Sequence, residues 1–92
     1  MKTMNEKSLF EKFRQTVYDY IVEHVDKTDD VIITLDDVYI VWASKTLQNW
    51  KAMISSTLPD GMYYELTYNG DKNECYLDAY KKFENRVYEN YN

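Results

Sequence analysis

The 92-residue chain contains one cysteine, one histidine, one proline and two glycines. A lone Cys75 cannot close an internal disulfide, and with His24 as the only imidazole one chain cannot assemble the usual tetrahedral zinc ligands. Gly61 and Gly70 each sit in a turn signal, which leaves no glycine-rich loop to cradle a phosphate. No apolar run approaches the roughly 20 residues needed to span a bilayer. Lysine and arginine number 11 against 16 acidic residues, a net charge of −5, and the cations are scattered along the chain. Such a surface repels phosphate backbones, so direct DNA or RNA binding is not expected. The opening run Met1-Lys2-Thr3-Met4-Asn5-Glu6-Lys7 leads into an acid-bearing amphipathic segment, unlike a secretory leader. With a single thiol, this points to a cytoplasmic protein.

Hydrophobic residues make up 45% of the chain and aromatics 16%, with ten tyrosines. That composition belongs to a folded globule of one domain, residues 1–92, which buries roughly 60–65% of its unfolded surface. Ser8 followed by Glu11 has capping-box spacing, and Leu9, Phe10, Phe13, Val17, Tyr20, Ile21 and Val25 recur on one helical face. The pattern predicts a helix over Leu9–Val25, with His24 in its last turn. A polar connector, Asp26 to Asp30, precedes Val31-Ile32-Ile33, which is expected to be buried.

Residues 35–48 carry conflicting signals. Val38-Tyr39-Ile40-Val41-Trp42 favours a strand by β-propensity. Thr34 with Asp37 three residues on resembles a helix cap, and Leu35, Val38, Tyr39, Trp42, Ala43 and Leu47 share a helical arc. Caps and pattern favour a helix, with a strand over residues 38–47 as the alternative.

The next three segments are joined by Pro59-Asp60-Gly61, a type I turn closed by a left-handed glycine, and by Asn69-Gly70, a two-residue hairpin turn. Pairing Leu58 with Met62 sets Ile54 against Leu66 and Ala52 against Tyr68. Pairing Tyr68 with Asp71 sets Leu66 against Asn73 and Tyr64 against Cys75. One side of the sheet then holds Trp50, Ala52, Ile54, Met62, Tyr64, Leu66, Tyr68, Cys75 and Leu77. The other holds Lys51, Met53, Ser55, Tyr63, Glu65, Thr67, Glu74 and Tyr76. A final helix is predicted over Ala79–Glu89, with Asp78 as its cap and Tyr80, Phe83, Val87 and Tyr91 as its stripe. The expected fold is α+β, a three-stranded antiparallel meander with helices on one face, in the order α-α-β-β-β-α.

No catalytic constellation emerges, and neither an enzyme nor a cofactor is expected. Cys75 reads as a buried structural thiol. Two candidate binding features remain. Asp29, Asp30, Asp36 and Asp37 crowd an acidic edge that could dock on a basic partner, although solvated connector and capping roles also explain them. Tyr63 and Tyr76 stand opposite one another on the wet face, where they are either cross-strand stabilisers or anchors of a binding patch.

ThrLeuAspAspVal (34–38), TrpAlaSerLysThrLeuGlnAsnTrpLysAla (42–52), AspGlyMetTyrTyrGlu (60–65), ThrTyrAsnGlyAsp (67–71) and TyrLeuAspAlaTyrLysLys (76–82) together resemble a family of small proteins of unknown function from phages and prophages of Gram-positive bacteria. The resemblance carries no functional residues. It implies a phage accessory protein, for which inhibition of a host protein is the expected role. An anti-CRISPR or other counter-defence inhibitor would occlude a partner's functional surface, for instance that of a nucleic-acid-binding enzyme with a basic surface. A small-ligand or nucleotide-signal module and a self-associating protein, such as a homodimer, are the alternatives.

Overall fold

The computed structural model describes residues 5–25 and 32–91. A helix, α1 (Glu6–His24), is followed by a 3-10 turn at Leu35–Asp37 and four strands: β1 (Val38–Thr46), β2 (Asn49–Ser56), β3 (Met62–Asn69) and β4 (Glu74–Lys81). The strands form one antiparallel meander in the order β1-β2-β3-β4. The helix lies on one side of it, giving two layers and extents of 47 × 41 × 19 Å. The α+β class and the meander agree with the sequence reading, and the strand alternative at 38–47 is the correct one.

The first helix begins three residues earlier than expected. Asn5 is its cap, accepting the Ser8 backbone N–H at 2.8 Å, so the Ser8–Glu11 box is not the terminus. Leu9, Phe13, Val17 and Ile21 recur every four residues and are all buried, meeting Val38, Ala52, Ile54, Tyr64, Leu66 and Tyr68 of the sheet. Phe10 packs edge-on against Trp50, with ring centroids 5.2 Å apart. Arg14 ties the helix to the 3-10 turn, donating from Nε to the Val38 carbonyl and from Nη2 to the Leu35 carbonyl, each at 2.8 Å. Of the three apolar residues expected to be buried after the connector, Val31 lies outside the described residues, Ile33 is half-buried and Ile32 is 88% exposed.

The expected helix over 35–48 is overturned by β1. The Thr34–Asp37 capping box is real, but it closes only one 3-10 turn. β1 then pairs with β2 along its whole length except at Val41, a bulge between Ile40 and Trp42. The bulge inserts one residue into the alternation, so Val38, Ile40 and Ala43 face α1 while Tyr39 and Trp42 face away. Spacings of two and then three residues imitate a helical arc, which is why the pattern misled.

The strand registers also differ from expectation, each by an even number of residues. Ala52 pairs with Leu66 and Ile54 with Tyr64, a shift of two at β2–β3. Leu66 pairs with Leu77 and Tyr68 with Cys75, a shift of four at β3–β4. Gly61 is left-handed at φ +69°, as expected for its turn. The Asn69-Gly70 hairpin turn is not formed. Asn69 pairs with Glu74 across a four-residue loop, its Oδ1 accepting from the N–H groups of Asp71 and Lys72 while Asn73 takes φ +54°. Gly70 serves a different purpose: a Cβ there would lie 2.2 Å from the Gln48 carbonyl oxygen at the β1–β2 turn.

The predicted Ala79–Glu89 helix is absent. Ala79 to Lys81 complete β4 against Met62 to Tyr64, and residues 82–91 have no regular structure. Phe83 is 98% and Tyr91 90% exposed.

Candidate interaction surface

The one described helix lies on one side of the four-stranded sheet, and among the described residues no helix or strand packs on the opposite, bare side, although Ser55 there is buried. Cross-strand pairs assign its residues, because directly opposed residues in an antiparallel ladder share a face. Trp42 stands against Met53, Met53 against Glu65, and Glu65 against Asp78. Ser44, Lys51, Thr67 and Tyr76 form the adjacent row, and Tyr63 with Tyr80 lies beyond the first, toward the end of the sheet where Tyr39 sits. Tyr39 is 47%, Trp42 44%, Tyr76 51% and Tyr80 50% exposed. These aromatic rings lie on a rigid strand scaffold and are open to solvent. Trp42, Ser44, Thr46, Asn49, Lys51 and Thr67 enclose a shallow, open depression of about 470 Å³ on this side. At the β1–β2 tip, Leu47 is held at φ +57° and is exposed.

The charge on the bare side comes from Lys51, Glu65, Glu74 and Asp78, one cation against three carboxylates. Lys51 Nζ lies 3.4 Å from Glu65. The Tyr76 hydroxyl donates to Glu74, and that carboxylate bond with its negative charge raises the Tyr76 pKa above its ordinary value.

The residues singled out from the sequence are only partly brought together. Asp29 and Asp30 lie outside the described residues. Asp36 is exposed and faces Arg14 at 3.7 Å, a surface pair of little energetic weight. The Asp37 carboxylate is occupied as a cap, accepting from the Thr34 backbone N–H at 2.8 Å and its hydroxyl at 3.1 Å. The Thr34 N–H holds the Asp37 pKa below the usual value. Tyr63 and Tyr76 do share the bare face, as expected, but they are not opposed: Tyr63 faces Tyr80 and Tyr76 faces Thr67. Tyr39, Trp42 and Tyr80 were missed because helical readings placed them toward a core. The β-branched run at 38–42 was the signal that would have found the first two.

Cys75 is not the buried thiol expected. It is on the helix side of the sheet, but α1 does not reach over β4, and the residue is exposed. Partial desolvation still raises its pKa. It edges a cleft of about 170 Å³ with Leu9, Lys12, Phe13, Thr16, Tyr68 and Asn73, well under the roughly 300 Å³ at which small-molecule sites begin. His24 stacks on Tyr20 at 4.0 Å and donates from Nδ1 to the Tyr20 carbonyl, a structural role. Among the described residues, no three His, Cys, Asp or Glu side chains are grouped to hold a metal ion. None of the described helices is long and apolar enough to cross a membrane.

A family model described as "Family of unknown function (DUF6275)" matches residues 10–90. Comparison with curated proteins and with solved structures finds no match.

Proposed function

We propose that this protein, which belongs to that family of unknown function, acts by binding another protein through the bare side of its sheet. The observation that supports this is a set of half-exposed aromatics sharing one face of the sheet, Tyr39 and Trp42 on β1 and Tyr76 and Tyr80 on β4. Tryptophan and tyrosine concentrate binding energy at interfaces, and a face built on paired strands loses little entropy when covered. The carboxylates of Glu65, Glu74 and Asp78 among the rings favour a partner with basic groups, which they would steer and orient. The cleft beside Cys75 is too small for a nucleotide, and the shallow, open shape of the depression near Trp42 suits the surface of a large partner.

In its most concrete form, the protein is a phage or prophage accessory protein of the counter-defence type, such as an anti-CRISPR. It would occlude a basic, nucleic-acid-binding surface of a host enzyme in the cytoplasm and would not contact nucleic acid or membrane itself. The test is plasmid interference by a purified or co-expressed CRISPR nuclease, with wild-type protein and with Tyr39→Ser/Trp42→Ser. The wild type is expected to block interference and to co-elute with the nuclease in a salt-sensitive complex. The double variant should keep its melting temperature and lose both properties. Full inhibition by the double variant would remove the sheet face from the proposal, and no inhibition by the wild type would remove the counter-defence role.

A further inference from the structure

Among the described residues no strand pairs with the outer edge of β4, whose charged residues are Glu74, Asp78 and Lys81. Seven of its eight residues are exposed, and it contains no proline and no bulge. Edge strands usually carry such devices because their free N–H and C=O groups are a template for another chain. The opposite edge of this sheet, β1, does carry one, the bulge at Val41. On the helix side Leu77 packs against the core, while Cys75 and Ala79 on either side of it are exposed.

We propose that β4 is a self-association edge: a second copy adds its own β4 antiparallel to it, centred on Leu77, making one continuous eight-stranded sheet with both helices on the same side. This goes beyond the binding face proposed above, which such a dimer would leave bare and double in area. The register follows from the residues. A two-fold axis normal to the sheet keeps helix side on helix side, so only residues of equal parity oppose one another. Centring on Asp78 sets two carboxylates directly against each other. Centring on Tyr76 sets Glu74 against Asp78 twice. Like charges directly opposed are destabilising. Centring on Cys75 or Ala79 overlaps only three or five strand residues, whereas centring on Leu77 overlaps seven and avoids every such clash. It sets Leu77 against Leu77, Cys75 against Ala79, Tyr76 against Asp78 and Glu74 against Tyr80. The helix side then gains an apolar row, and on the bare side each tyrosine hydroxyl meets a carboxylate acceptor.

Directly opposed residues lie about 4.5–5.5 Å apart between Cα atoms, within the range that a disulfide spans. Ala79→Cys therefore places a new thiol opposite Cys75 of the second copy. Under mild oxidation the purified variant is expected to form a reducible covalent dimer, whereas Cys75→Ser/Ala79→Cys and Cys75→Ser/Asp78→Cys should not. Sedimentation of the wild type should show a monomer–dimer equilibrium. Tyr80→Glu opposes Glu74 with a like charge at two symmetric places, leaves the buried core untouched, and should weaken that equilibrium about tenfold. Adding Glu74→Lys should restore it. A wild type that stays monomeric at its solubility limit overturns the proposal, and so does a dimer in which Ala79→Cys fails to link or Cys75→Ser/Asp78→Cys links instead. These measurements use the purified chain alone, so their failure is independent of any outcome with a host partner.

Discussion

Phe13 and Phe83 both lie on amphipathic helical patterns in the sequence, yet Phe13 is 1% exposed and Phe83 is 98% exposed. Truncating each to alanine measures the difference. Phe13 sits at the centre of the α1 stripe, against a sheet core made of Ile54, Tyr64 and Leu66. Removing a fully buried phenylalanine ring costs about 3–5 kcal/mol, transfer and cavity together. A folded chain of 92 residues has only about 5–14 kcal/mol of total stability. Phe13→Ala is therefore expected to remove roughly a fifth or more of it. With a urea slope of roughly 2 kcal/mol per molar, the midpoint falls by about 2 M. Phe83→Ala removes almost no contact, and its midpoint should move by no more than about 0.25 M, equivalent to roughly 0.5 kcal/mol. Both variants are unfolded at one protein concentration and followed by circular dichroism and tryptophan fluorescence, Trp50 reporting the Phe10 contact. A loss at Phe83 comparable to that at Phe13 would mean that residues 82–91 pack on the core as a helix, and the architecture described above would be wrong.

Two further outcomes follow from local geometry. Gly70→Ala forces a methyl to within 2.2 Å of the Gln48 carbonyl, so the β1–β2 tip must move; overpacking of this kind costs about 2 kcal/mol and lowers Tm on the order of 10 °C, and an unchanged Tm would contradict the close approach. Burial, with smaller contributions from Asp60 and Tyr20, pushes the Tyr64 pKa up to about 12. The folded state thus holds this proton more tightly than the unfolded chain, where the value is about 10. Its stabilising contribution is complete below pH 10 and is lost as the pH rises through about 12. Tyr64→Phe should lose less stability than the wild type between those limits, and parallel stability curves for the two proteins would refute the assignment.

Which residues face the helix was legible without coordinates. Side chains alternate with a period of two along a strand, so register shifts of two at β2–β3 and four at β3–β4 leave every residue on its expected side. Trp50, Ala52, Ile54, Tyr64, Leu66, Tyr68 and Leu77 share the helix side as expected, and Tyr63 and Tyr76 share the bare one. The α1 stripe was equally plain, because i, i+4 spacing over four turns has no strand equivalent.

Tertiary structure decided what local signals left open. The Thr34–Asp37 cap is genuine, but one cap cannot offset a strand, β1, that finds eight partners in β2. The Ala79–Glu89 pattern has no surface to pack on, and an isolated helix of that length is marginal in water. Pairing with Met62 to Tyr64 instead draws Ala79 to Lys81 into β4. Exposure of Cys75 and of the aromatic face depends on where a single helix ends relative to four strands. Local sequence determines periodicity and turns, while the choice between competing partners belongs to the assembled chain, because only there do long-range backbone pairs exist to outweigh local preference.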